Sequence, residues 1–246
     1  MKTIMIAAIK GGAGKTTTAA ALAQAAKADG LRVLAIDTDP QANLTTNLGA
    51  DQTRPGLLDV LRGKATAASV IQQTPQGIDV ISAHRDLATL TTQQGTGLAL
   101  DNALHPLRGN YNYCFIDTPP QWGTSLYTAL YAADYLLIPT ETDTNSIQGV
   151  TDVATLARRA AQQSKHDLQI MGVIVTRYNG RSTLNKQLRD ALATSCNAAS
   201  IPYLGEIRQG IAAREAAVLK HSLFEYAPKS KPATDYMSLW QQVKQH

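Results

Sequence analysis

Two lysines five positions apart, Lys10 and Lys15, enclose the glycine-rich run KGGAGKTT. Glycines 11, 12 and 14 open backbone conformations closed to other residues, so N–H groups along Gly11, Gly12, Ala13 and Gly14 can converge on phosphate oxygens. Lys15 adds a cation suited to the β- and γ-phosphates of a nucleotide, and Thr16 a hydroxyl suited to Mg²⁺. Thr17 follows at the same helix start. A helix beginning near Lys15 points its positive end at the same anion, worth up to ~2 kcal/mol in favourable geometry. Ile9 stands where the common pattern G-x-x-x-x-G-K-[ST] has its first glycine, so the run reads K-G-G-x-G-K-T instead.

Two further stretches carry acids at the ends of apolar runs. In LAIDTDPQANLTTNLG, Asp37 and Asp39 are two apart and Pro40 ends the strand. Strand periodicity sets both on one side, at the C-terminal end where ligands bind in open α/β sheets. Two acids beside a polyphosphate repel it unless a cation intervenes, so Mg²⁺ is implied. Either could instead cap the next helix. In YCFIDTPPQWG, four apolar residues deliver Asp117 to a strand end, placed to hold Mg²⁺ through a water, and two prolines stiffen the loop that follows.

The elements that must position these residues alternate. Apolar runs predict strands over Thr3–Ile9, Arg32–Asp37, Ile78–Ser82, Tyr113–Asp117, Tyr135–Pro139 and Gln169–Thr176, with another near Ile201–Ile207. Helical patterns lie at Lys15–Ala28, Leu87–Leu107, Gly123–Ala132, Ser146–Gln163, Ser182–Ser195, Ile211–Lys220 and Pro232–Gln245. Strands that are continuously rather than alternately apolar, separated by helices, imply an α/β fold: a doubly wound, mostly parallel sheet with helices on both faces. The run TTQQGTG at 91–97 reads as a loop or a helix interruption. No repeat or long linker divides residues 1–246, which read as one domain.

At 246 residues, 44% hydrophobic and 17% charged, the chain is expected to be folded rather than disordered. A formal net charge of +4 permits an anionic partner without demanding one. Cys114 and Cys196 have no metal-ligand spacing and no disulfide framework, which fits a reducing cytoplasm. The apolar start of MKTIMIAAIKGG is too short for a signal peptide or a membrane span. The histidines at 84, 105, 166, 221 and 246 form no catalytic constellation and read as surface or loop residues.

K-G-G-x-G-K-T is the deviant Walker A signature, and with D-x-D-P-Q and DTPP in order it resembles the ParA/MinD family of P-loop NTPase-like ATPases. GLLDVLRG (56–63), GIDVISAHRDLATL (77–90), YTALYAADYLLIPT (127–140), SIQGV (146–150) and EYAPKSKPATDYMSL (225–239) also look like family segments. The resemblance implies that Lys10 reaches across an ATP-sandwich homodimer to phosphates bound by the other subunit. It implies that Asp39 positions or activates the attacking water, with Asp37 by the Mg²⁺ shell. It makes DTPP a loop that senses the γ-phosphate. TRYN (176–179) looks like a segment near the base, which makes Arg177 a base contact.

The ParA branch fits better than the MinD branch. MinD-type chains end in an amphipathic membrane-targeting helix, whereas Tyr236, Leu239, Trp240 and Val243 in the tail YMSLWQQVKQH are expected to pack on the core. A phosphate loop starting at residue 10 resembles the short ParA proteins without an N-terminal helix-turn-helix. Family analogy implies ATP-dependent, non-specific DNA binding in a nucleoid-associated, cytoplasmic protein. It also implies a centromere-binding or cargo adaptor partner that stimulates hydrolysis. The DNA-binding candidates are Arg181, Lys186, Arg189, Arg208, Arg214 and Lys220, with Lys186 and Arg189 on one helix face. Many relatives carry IPRNVRLSEA; set against IRQGIAAREA (207–216), the arginine of NVR falls on Ala212, so Arg208 or Arg214 takes its part or the surface differs. The same engine could position a protein cargo, or pattern a membrane surface as MinD does.

Overall fold

Continuous apolar runs become the interior of a sheet because both of their faces are covered. The computed structural model describes residues 1–90, 96–164 and 167–246. Its elements run β1 (Lys2–Ile6), α1 (Lys15–Ala28), β2 (Val33–Asp37), α2 (Asn43–Leu48), α3 (Leu57–Leu61), α4 (Ala67–Val70), β3 (Gln72–Gln73) and β4 (Asp79–Ile81). They continue with α5 (Ala99–Leu104), β5 (Tyr113–Asp117), α6 (Thr124–Ala132), β6 (Tyr135–Thr140), α7 (Ser146–Ser164) and β7 (Gln169–Tyr178). The chain closes with α8 (Thr183–Ala198), β8 (Tyr203–Arg208), α9 (Ala212–Val218), α10 (Leu223–Tyr226) and α11 (Lys231–Val243).

The strands form one sheet in the order β3-β4-β2-β5-β1-β6-β7-β8. Every pairing is parallel except the two-residue edge strand β3 against β4. From β1 the chain first crosses to β2 and later to β6 on the opposite side, so winding reverses at β1. That reversal opens a crevice at the strands' C-terminal ends, where the loop after β1 lies.

Alternate strand residues feed two cores. Ile4, Ile6, Val33, Ala35, Tyr113 and Phe115 pack under α1, α9, α10 and α11. Met5, Leu34, Ile36, Cys114 and Ile116 pack under α3, α5, α6, α7 and α8. The alanine-rich face of α1 buries Ala19 to Ala23 and lets the helix lie close on the sheet, and alanine's high helix propensity favours the helix itself.

Three parts of the sequence reading needed the tertiary structure. Residues 85–107 are not one helix: Arg85–Thr89 and Thr96–Leu98 are 3-10 turns, and His105–Leu107 is another after α5. Pro106, lacking an N–H, cannot extend α5 in regular α form. The loop expected at 91–97 falls largely on residues 91–95, outside the described residues. Strands β1 and β4 are shorter than their apolar runs. The short helices α2, α3, α4 and α10 and the strand β3 carry no periodic signal of useful length.

The tail packs inward. Tyr236, Leu239, Trp240 and Val243 are all buried. The Trp240 ring meets Tyr113 and Phe115 edge-on, and its Nε1–H donates to the Asp29 carboxylate at 2.8 Å. Replacing Trp240 with Ala should therefore cost about 3–5 kcal/mol of unfolding free energy in urea titration. Trp240→Phe, which keeps a ring but loses the bond to Asp29, should cost clearly less; equal costs would show that the bond to Asp29, and not the ring's buried area, carries the effect.

Candidate active site

Most helices whose caps are defined by Ser or Thr satisfy their own first turn: Thr66, Ser182, Ser222 and Ser230 each accept a backbone N–H from the helix they start. Helix α1 differs from these four, as do α2 and α6. Its N-cap is Gly14, it has no side-chain cap, and no acid stands in its first turn. Its free N–H groups and positive end are left for an anion. Gly12 and Gly14 hold φ values of 82° and 83°, left-handed backbone that suits glycine and turns the chain into a concave loop ahead of α1.

Lys15 is buried at the start of that helix, 6% exposed. Burial pulls its ammonium below the ordinary lysine range, opposed by Asp117 and Asp39. Thr16 donates its hydroxyl to Asp117 Oδ2 at 2.6 Å. Asp117 Oδ1 is buried and has no hydrogen-bond partner. Burial, then the nearby Asp37, hold the Asp117 carboxyl well above the usual carboxylate range, while Thr16 and Lys15 pull it down. An orphaned buried oxygen beside a second acid and a threonine hydroxyl is chemistry that Mg²⁺ satisfies. Among the described residues no group of three or more His, Cys, Asp or Glu side chains is placed to hold a metal alone.

Asp37 lies opposite Asp117 across β2 and β5, both fully buried. Its Oδ2 accepts the Thr45 N–H at 2.9 Å and the Thr45 hydroxyl at 2.8 Å, and its Oδ1 accepts the Asp39 N–H at 3.1 Å. It braces the loop that carries Asp39 and the start of α2. Asp39 is buried, 8% exposed, and accepts the Gln41 N–H at 2.9 Å. Neither acid is the N-cap of α2, which is Ala42.

Lys10 projects the other way and is half exposed. Its ammonium bonds Glu141 Oε2 at 3.2 Å and Asp143 Oδ2. Asp143, with Glu141 beside it, holds that ammonium above the ordinary lysine range despite some burial. Glu141 Oε1 also lies 2.9 Å from Arg177 Nη1, as an ion pair. Arg177 therefore stands at the mouth of the loop, in left-handed backbone with φ 51°. It lines a cleft of about 410 Å³ with Gly14, Thr17, Thr176, Arg214 and Tyr236. This cleft runs from the loop towards α9 and is of a size that takes a nucleoside.

The basic candidates separate into two groups. Arg208 is bound to Asp235 through its backbone N–H, Nε and Nη2, the last at 2.7 Å. Arg189 pairs with Glu206 at 2.8 Å and with Asp190, and lies over the Tyr178 ring. Both are committed within the fold, and Arg189 does not share a free face with Lys186. Arg181, Lys186, Arg214 and Lys220 are exposed. Four of the histidines lie at partly or fully exposed positions; His166 lies outside the described residues. Sequence reasoning missed Thr45, Glu141, Asp143 and Thr176. A polar residue directly after an apolar strand, as in GVIVT, is the signal that finds Thr176.

Burial pushes the Asp37 carboxyl up to about 6, against its bonds from Thr45. In the unfolded chain it titrates near 3.8. Between those values the folded state keeps a proton that the unfolded state has released. Stability of the ligand-free chain should fall as pH rises from about 4 to about 6, and Asp117, held higher still, extends the fall beyond that. Asp37→Asn should reduce that slope between pH 4 and 6 in urea unfolding at successive pH values without Mg²⁺. An unchanged slope would exclude Asp37 as its source.

Known proteins share this architecture. A family model described as an AAA domain matches residues 1–170. The chromosome partitioning protein ParA of Caulobacter vibrioides is 36% identical over 197 residues, covering 76% of this chain and 74% of that protein. The sporulation initiation inhibitor protein Soj of Bacillus subtilis is 30% identical over 249 residues, covering 98% of each. The crystal structure of cobyrinic acid a,c-diamide synthase from Mycobacterium smegmatis, with bound ATP analog and magnesium, superposes with a TM-score of 0.85 at 28% identity, covering 100% of this chain and 95% of that one. With its deviant phosphate loop, buried acid pair and mostly parallel sheet, the chain belongs to the ParA-type partition ATPases of the ParA/MinD family.

Proposed function

We propose that the chain is an ATPase that partitions DNA by cycling between nucleotide states. The observation that carries this reading is the uncapped start of α1 beside buried Lys15 and the orphaned Asp117 oxygen. Backbone N–H groups from Gly11 to Thr17, with the Lys15 ammonium, bind the phosphates of ATP. Thr16 and Asp117 hold Mg²⁺, with Asp37 supplying charge behind them. When bound, that ion neutralises phosphate charge and orients the phosphates. Asp39 orients the attacking water and takes up its proton. Arg177 and the cleft towards α9 hold the base.

Lys10 is read as the residue that completes the site of a second copy. Its position supports this: in one chain it faces Glu141 and Asp143 rather than the loop's own concavity. The ATP-bound homodimer then binds DNA without sequence preference through exposed Arg181, Lys186, Arg214 and Lys220, until a partner protein on the cargo stimulates hydrolysis. No described helix is long and apolar enough to cross a membrane. Burial of Trp240 and Tyr236 leaves α11 no free apolar face of the MinD kind.

Lys15→Ala should weaken Mg·ATP binding roughly a hundredfold, the worth of a charged hydrogen bond of about 3 kcal/mol. Asp39→Ala should hold a DNA-bound ATP state; hydrolysis at the parental rate would overturn its role. Lys10→Ala should damage hydrolysis and self-association more than nucleotide affinity. The deciding measurement is a DNA titration with Mg·ADP, Mg·ATP and a slowly hydrolysed analogue at two salt concentrations. Binding confined to the ATP states and falling steeply with salt supports the reading. Equal binding in every state excludes the switch, and no DNA binding in any state would favour a protein cargo.

A further inference from the structure

Ala13 lies at the centre of the phosphate loop, between two left-handed glycines, and is 1% exposed. Its carbonyl oxygen accepts the hydroxyl of Thr176, from near the end of β7, at 3.0 Å. The same hydroxyl lies 3.1 Å from the carbonyl of Thr140, the last residue of β6. Thr176 is 3% exposed. A Cβ placed on Gly14 would stand 3.2 Å from Thr176 Cγ2 and 3.4 Å from its Oγ1. The loop is therefore seated directly on this one side chain, and Gly14 is glycine for closeness as well as for its φ.

The consequence follows from the planarity of the peptide. In a trans peptide the C=O of one residue and the N–H of the next point in opposite directions. A hydroxyl that fixes the Ala13 carbonyl on the sheet side fixes the Gly14 N–H on the other. With glycines on both sides of Ala13 and no cap on α1, the loop has little else to hold that peptide in one orientation. We propose that Thr176 is a positioning residue for phosphate binding: its hydroxyl orients the Ala13–Gly14 peptide so that the Gly14 N–H faces the ligand. The assignment rests on the reading of this loop as a nucleotide-phosphate site.

The role belongs to the hydroxyl and not to the methyl, which separates positioning from packing. Thr176→Val keeps the shape and loses the donor; Thr176→Ser keeps the donor and loses the methyl. Mg·ADP binding by titration calorimetry should weaken about tenfold in T176V, the loss of one well-placed hydrogen bond, and stay within about twofold of the parent in T176S. Inorganic pyrophosphate, competing against Mg·ADP, should show the same order, because the effect lies at the phosphates and not at the base. If T176V bound Mg·ADP like the parent, or if T176S were as weak as T176V, the role of Thr176 would be overturned. A tenfold loss for Mg·ADP with pyrophosphate unaffected would place Thr176 at the base and overturn it too. Should T176V fail to fold, Thr176→Ala takes its place: a loss of about tenfold beside near-parental T176S supports the hydroxyl, and equal affinity of the two variants overturns it. Failure of the parent chain to bind Mg·ADP at all would instead overturn the nucleotide reading beneath it.

Discussion

Two carboxylates face each other in the dry interior, Asp37 and Asp117 on neighbouring parallel strands. Buried like charges at that spacing oppose folding unless something compensates them. The structure compensates them in part. Thr45 and the Asp39 N–H bond Asp37, while Thr16 and the nearby Lys15 serve Asp117. One oxygen of Asp117 stays without a partner. The site is thus built around a deficit of positive charge that a cation and its phosphates complete.

The parallel sheet makes this arrangement possible. In register, Ile6 and Asp37 both stand opposite Asp117, so three strands end at one level and release their loops together. Threonine hydroxyls then tie those ends across the sheet: Thr38 to the Asp117 carbonyl, Thr118 to the Ile6 carbonyl, Thr176 to Ala13 and Thr140. Each bond is modest, about 1 kcal/mol, but together they link the strand ends to the loops that leave them. The result is a rigid floor beneath a glycine-rich loop that would otherwise have many conformations.

Beside the loop stand two exposed cations, Lys10 and Arg177, both meeting Glu141. Their ion pairs are partly solvated, so salt and water screen them. These contacts are accordingly of a kind that an arriving polyphosphate or a second chain can exchange.

Much of the site was legible in the residue order, because the chemistry is local. A phosphate loop needs its glycines, lysine and threonine within one turn, and that packing leaves a mark at fixed spacing in KGGAGKTT. Helix α1 and strand β5 were readable to the residue, since alanine-rich and uniformly apolar runs have one stable setting each. The short helices, the broken segment over 85–107 and the antiparallel β3 were not, because packing rather than local preference sets them. Only the tertiary structure could bring Thr176 under Ala13, 163 residues earlier, or show that Arg208 and Arg189 are paired within the fold. The sequence by itself determined which groups were present and that they lay at strand ends. Which of those groups have free valence is decided by neighbours far along the chain, since a hydrogen bond or ion pair depends on distance in space and not in sequence.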